Sequence, residues 1–220
     1  MKPKYPLTQP FSDLPEELPV YSLENALLPG GELPLTISDP SEMTIFFGAL
    51  RTDQLIGMIQ PIGKSSATDT YNIGCAGRIR QYRERKDGKI NVMLTGVCRY
   101  KIVTELPMQH GFRKVIVDWS DFHQDYEPQN IEADKIDFFK ANLRNYFERQ
   151  RMQIDWDALN KLHIEEVVNN LVLVMNFSIG DKQLLLESPT LKDRLNLFIG
   201  LLQSKPDPIW TGNYVGERVN

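Results

Sequence analysis

The apolar residues of this chain change their spacing once, near residue 122, and that change restricts the fold more than any other feature. Before it, they recur in short runs with a period of two, cut by glycine and proline. After it, they recur at intervals of three and four. A period of two sends alternate side chains to opposite faces of a strand, whereas three-or-four lines up one face of a helix. The expected class is therefore α+β: a β-rich half at 18–122, a polar linker at 123–130 and an α-helical bundle at 131–204. A Pro-rich extended arm (1–17) precedes these, and a loose tail (205–220), begun by Pro206 and Pro208, follows.

Within the first half, Pro29-Gly30-Gly31 marks a turn and Leu33–Ile37 a strand. Asp39 before Pro40 has the form of a helix start, and Met43, Phe46, Phe47 and Leu50 repeat at helical spacing. Leu55–Gln60 reads as a strand stopped by Pro61. Tyr71–Arg85 and Lys89–Val103 read as a hairpin closed by a two-residue Asp87-Gly88 turn. Gly96 marks a bulge or bend in the second of these. A last strand, Phe112–Trp119, completes a set that suggests a small, partly closed barrel. In the second half, Ile136, Phe139, Leu143 and Tyr146 share a helix face. Asp155 is placed to cap one helix carrying Leu159, Leu162, Val167, Leu171 and Val174. Asp181–Glu187 forms a short helix, and Thr190 with Asp193 has capping-box spacing before Leu195, Phe198, Ile199 and Leu202.

At 220 residues and 41% apolar content the chain can bury a sizeable core. A net charge of -4 gives no general attraction to nucleic acid or anionic membrane. Cys75 and Cys98 are the only cysteines, which excludes a disulfide scaffold and fits two buried thiols in a reducing compartment. With no apolar run of spanning length and no signal-peptide pattern, a cytoplasmic protein is expected.

Three segments carry a family likeness. They are Leu18-Pro19-Val20-Tyr21-Ser22-Leu23-Glu24-Asn25 continuing through Ala26–Pro40, then Leu55–Pro61, then Ile73–Ile79. In this order and spacing they resemble the substrate-binding N-terminal domain of the Lon proteases, and the resemblance extends over roughly residues 18–203. It implies a PUA-like pseudo-barrel followed by an α-helical subdomain. It also implies a stand-alone bacterial form without ATPase or protease domains. The function implied is non-catalytic binding of unfolded or client protein segments in proteolysis or quality control. An ATP-dependent protease and weak self-association are further partners it implies; the missing apolar span argues against a membrane partner and the net acidity against nucleic acid.

Two surfaces are candidates for that binding. In Leu27-Leu28-Pro29-Gly30-Gly31, adjacent leucines before a tight reversal either present an apolar rim or tuck into the cleft between the two halves. Between Arg78 and Lys101 lie eight basic residues (Arg78, Arg80, Arg83, Arg85, Lys86, Lys89, Arg99, Lys101), opposed only by Glu84 and Asp87 and interleaved with Tyr82 and Tyr100. Arg80, Arg83, Arg85, Lys86 and Lys89 are its candidate contact residues. A solvated hairpin, an acidic protein partner and RNA all suit such a strip. An RNA-binding PUA-like protein is thus the alternative function, and a hydrolase with an unrecognised site a weaker one.

Catalytic signatures are not met. Gly57–Ser65 has five residues between Gly57 and Gly63 where a phosphate loop has four, and Pro61 removes an amide. Lys64-Ser65 are loop neighbours with no indicated oxyanion hole. His110, His123 and His163 have no metal-ligand spacing, and His163 reads as a helix-surface residue. No catalytic, cofactor or metal residue is assigned.

Overall fold

Strands form where β-branched and aromatic residues run between turn signals, and the longest of these runs organises the others. The computed structural model describes residues 8–63, 69–108 and 112–204. In it β1 is Glu17–Ser22, β2 Glu32–Ile37, β3 Leu55–Ile59, β4 Ile73–Glu84, β5 Ile90–Glu105 and β6 Arg113–Asp118. The sheet order is β2-β5-β4-β3-β1-β6, and β5 also pairs with β6. The length of β5 permits this closure. Its first residues carry β2, and its last, Lys101–Glu105, meet β6. Five strands ring a barrel, with β2 added beside the hairpin end of β5. Neighbours are antiparallel except β1 and β3, which run parallel through Val20 and Gly57. A parallel pair needs a crossover, supplied by β2 and helix α1, Pro40–Leu50. Asp39 caps α1 as its sequence position predicts, accepting from the Ser41 N–H at 2.8 Å, while Glu42 accepts from the Asp39 N–H at 3.2 Å.

Strand alternation feeds two apolar clusters. Leu18, Val20, Leu55, Ala76, Cys98, Tyr100, Val115 and Trp119 belong to one, in the barrel. Gly57 and Gly74 leave room there for Tyr100, whose hydroxyl donates to the Met58 carbonyl at 3.3 Å. The larger cluster joins Leu27, Leu28, Leu33, Phe46, Ile56, Met58, Cys75 and Leu94 of the first half to Phe139, Leu143, Val168, Leu185 and Phe198 of the second. These last residues come from α2 (Ala133–Arg149), α4 (Ile164–Val174), α5 (Ile179–Glu187) and α6 (Leu191–Ser204). The helices therefore bury their apolar faces against the outside of the sheet.

Several local readings need correction. The helix capped by Asp155 is two helices. The short α3, Trp156–Asn160, uses the Asp155 carboxylate as its cap, and α4 starts afresh at Ile164. His163 is the residue before that new start, where Glu166 accepts from its backbone N–H at 3.1 Å. Two competing starts within nine residues break the run, and Leu162 and Val174 are left exposed. The hairpin turn also differs. A two-residue type I′ turn needs positive φ at both Asp87 and Gly88, and only Gly88 has it, at 79°. The chain instead closes Lys86-Asp87-Gly88 between Arg85 and Lys89. The first part of the expected linker, 123–126, belongs to a 3-10 segment, Ser120–Tyr126, kinked at Phe122, with Phe122, Asp125 and Tyr126 buried. The described part of the N-terminal arm is likewise packed. Leu14 is buried, the Trp119 indole donates to the Pro15 carbonyl at 2.9 Å, and the Tyr126 hydroxyl donates to the Gln9 carbonyl at 3.0 Å. Residues 1–7 of that arm, His110 and the tail 205–220 lie outside the described residues.

Gly96 marks a real irregularity: the β4–β5 register shifts between Ala76 and Gly77, skipping Val97. A Cβ on Gly96 would lie 1.9 Å from the Leu28 carbonyl oxygen, so only glycine lets that loop approach. Gly96→Ala should therefore shift the loop and destabilise the fold by about 1–3 kcal/mol or more. Chemical denaturation of the two forms measures it, and an unchanged midpoint would remove this constraint.

Candidate functional site

The loop at 26–31 is held from both sides, by backbone of the sheet and by a side chain of the helical half. Gly30 N–H donates to the Gly96 carbonyl at 2.8 Å, and Gly96 N–H donates to the Gly31 carbonyl at 2.9 Å. On the helical side, the Asn169 side-chain amide donates to the Pro29 carbonyl at 2.6 Å. Arg194 Nη1 holds the Asn169 carbonyl oxygen at 3.0 Å. Burial, with the like charge of Arg99 adding to it, pushes the Arg194 pKa down to about 10, which leaves it cationic at neutral pH. Leu27 is 1% exposed and Leu28 0%, and Pro29, Gly30 and Gly31 are buried with them. Of the two geometries open to this loop, it takes the inward one. Leu28 is not an outward anchor, because its side chain completes the cluster shared by sheet and helices.

The basic strip divides. Arg99 is 3% exposed and leaves the surface altogether. Its side chain meets the Asp125 carboxylate at 2.8 Å, donates to the carbonyls of Leu186 at 3.0 Å and Ser188 at 2.7 Å, and stacks on the Phe122 ring at 4.9 Å. Local sequence barely separates Arg99 from its basic neighbours, because its hydrogen-bonding partners lie 26 and more residues away. Its one visible signal is its place between Cys98 and Tyr100 in an apolar run. Tyr100 is also fully buried, Arg78 is half-buried, and Lys101 sits opposite Ile73 at the far end of the hairpin. The stacking surface that RNA would require is thereby reduced to Tyr82.

What remains together is the hairpin arm. Arg80, Arg83, Arg85, Lys86 and Lys89 are all exposed, as is every residue from 80 to 89. Arg85 pairs with Asp87 at 3.1 Å, an exposed contact of little energetic weight. Tyr82, 52% exposed, sets its ring edge-on to the buried Phe46 at 5.3 Å. Phe47, 43% exposed, flanks the same ring at 5.3 Å. Sequence spacing placed Phe47 on the core face of α1, and the structure leaves it half outside. The arm thus joins cationic side chains to an aromatic shelf, an arrangement suited to binding rather than to bond making.

Gly57 lies in β3, whose five residues are all buried, while Lys64 and Ser65 lie outside the described residues. Burial, with the negative charge of Asp125 adding to it, pushes the thiol pKa of both Cys75 and Cys98 well above the usual range, so neither is a ready nucleophile. Among the described residues, no three His, Cys, Asp or Glu side chains are grouped to hold a metal. No helix among them is long and apolar enough to cross a membrane.

A family model described as the ATP-dependent protease La (LON) substrate-binding domain matches residues 17–204. The chain is 25% identical over 217 residues to Lon protease 2 of Myxococcus xanthus, covering 94% of this chain and 26% of that protein. It is 27% identical over 190 residues to a Lon protease of Flavobacterium johnsoniae, covering 83% and 23%. The chain thus spans about a quarter of the length of the curated relatives it matches. Two solved structures share its fold. The Lon N-terminal domain protein from Xanthomonas campestris gives a TM-score of 0.61 at 18% identity, over 86% of this chain and 99% of that one. The N-terminal domain of Mycobacterium avium complex Lon protease gives 0.63 at 17%, over 86% and 98%.

Two substitutions separate scaffold from surface. Leu28→Ser should lower stability by about 3 kcal/mol or more, through lost packing and a buried hydroxyl. Reversing Arg83 and Arg85 to glutamate should change stability by no more than about 0.5 kcal/mol. Thermal melts of both variants check the pair, and the opposite ranking would contradict the burial described. Asp125→Asn, which leaves the Arg99 cation buried beside a neutral group, should cost about 3–5 kcal/mol by the same measurement.

Proposed function

The chain belongs to the Lon substrate-binding domain family, and on that premise we propose that it is a non-catalytic module that binds unfolded client segments in proteolysis or quality control. The observation that carries this reading is the family match itself, which runs through both the barrel and the helical half. The exposed arm, with basic side chains beside Tyr82 and Phe47, supports it by offering a surface for a flexible chain. Recognition of this kind needs complementary shape and a polar rim, without a covalent step. The natural partners are client segments and an ATP-dependent protease that would process them, and the natural setting is the cytoplasm, in keeping with two free buried thiols.

In solution the purified chain should bind reduced, unfolded casein and ignore a folded control of similar charge. It should neither hydrolyse ATP nor shorten the casein. Equilibrium binding by anisotropy and a gel time course test both halves of this statement. Turnover that disappears on Lys64→Ala would overturn the non-catalytic reading, and equal binding of folded and unfolded protein would overturn client recognition.

A further inference from the structure

Antiparallel sheets that do not close completely leave backbone donors and acceptors at their edges, and this one leaves two. One is the outer edge of β2, interrupted by Pro34, which has no N–H to offer. The other belongs to β4. That strand pairs with β3 only from Cys75 to Arg78, while its pairing with β5 continues to Glu84. The register shift between Ile79 and Gln81 falls where the two strands part, as a bulge that re-aims a strand would. Residues 81–84 therefore have no strand on their β3 side among the described residues. They contain no proline, and all are exposed. At about 3.3 Å per residue this edge is roughly 13 Å long, enough for about four residues of an extended peptide.

We propose that this edge, from Gln81 to Glu84, receives an acidic, aromatic-containing extended segment of a partner protein as an added β-strand. The proposal rests on the protein-binding reading above and names the chemistry of its site. Main-chain hydrogen bonds to the edge supply affinity without regard to sequence, which suits an unfolded chain. Charge supplies the preference: residues 80–89 hold five basic side chains against Glu84 and Asp87. An acidic strand set beside Arg83 and Arg85 forms favourable cross-strand pairs. A second copy of the same edge would bring like charges opposite each other, so the charges that permit an acidic visitor also oppose self-pairing. Tyr82 and Phe47, both against the Phe46 ring, form the shelf on which an aromatic side chain of the segment rests. RNA has no backbone that could continue a β ladder.

The test uses a fluorescent decapeptide alternating glutamate with valine and phenylalanine, titrated against the full chain by anisotropy. Its controls are the same peptide with lysine for glutamate, and one N-methylated at alternate backbone amides. We expect binding of the glutamate peptide that weakens at least tenfold with either control, with added salt, and with Arg83→Glu plus Arg85→Glu. Tyr82→Ala should weaken it severalfold. Thermal melts confirm that the variants are folded. No binding of the glutamate peptide, equal binding of the lysine peptide, or indifference to N-methylation would each overturn the proposal. So would an oligouridine RNA that binds more tightly and displaces the peptide. Casein binding, read in the same samples, keeps the two readings apart. Casein bound equally by wild type and the charge-reversed variant, with no peptide bound, would sink the edge and spare client recognition. Peptide bound as expected with no casein bound would sink client recognition and support the edge.

Discussion

One guanidinium joins the two halves of this protein. Arg99 leaves β5, pairs with Asp125 of the 3-10 segment that follows β6, and reaches the carbonyls that end α5. A buried cation requires a partner for its charge and acceptors for its N–H groups, and here these come from two stretches of chain distant from β5, Asp125 and the end of α5. The Arg99 backbone N–H adds a further bond to Asp125 at 2.8 Å. The geometry of barrel, connecting segment and helices is thus specified together, since none of them can move away without stranding a charge.

A second tie runs in parallel, from a buried guanidinium through a neutral amide. Arg194 holds Asn169, Asn169 holds the Pro29 carbonyl, and the Pro29 loop lies against Gly96. The loop that best marks the family likeness is therefore a structural insert between sheet and helices. Its leucines complete the larger core, and the missing side chain of Gly96 makes space for its backbone. Recognition must be sought elsewhere, in parts that the two ties leave outside.

The hairpin arm is such a part. Two strands of the barrel continue into it, and beyond Arg78 one of them, β4, has no strand on its β3 side among the described residues. A rigid base with a protruding, singly supported strand places exposed backbone and basic side chains where an extended chain can reach them. In the proposed binding role the arm would meet a partner while the core beneath stays unchanged, because residues 80–89 are all exposed.

The class of fold was legible because hydrophobic period is a local quantity. Val115 and Val117 alternate inward with Ile116 between them, and Phe139, Leu143 and Tyr146 line one helix face, as their spacing alone requires. Asp39-Pro40 and Thr190 with Asp193 mark helix starts through bonds spanning two or three residues. Sequence by itself thus determined the barrel-then-helices order, the position of α1 and the location of the basic arm. Tertiary structure alone decided which basic residues remain at the surface. Arg83 and Arg99 are alike in sequence and opposite in environment, because the Asp125 and Ser188 groups that draw Arg99 inward are brought near only when distant segments fold together. It decided equally that Leu27 and Leu28 turn inward, that Asp125 and Tyr126 are packed, and that β4 outruns β3 among the described residues. Each of these depends on what lies across a gap in space, and period and propensity carry no information about that distance.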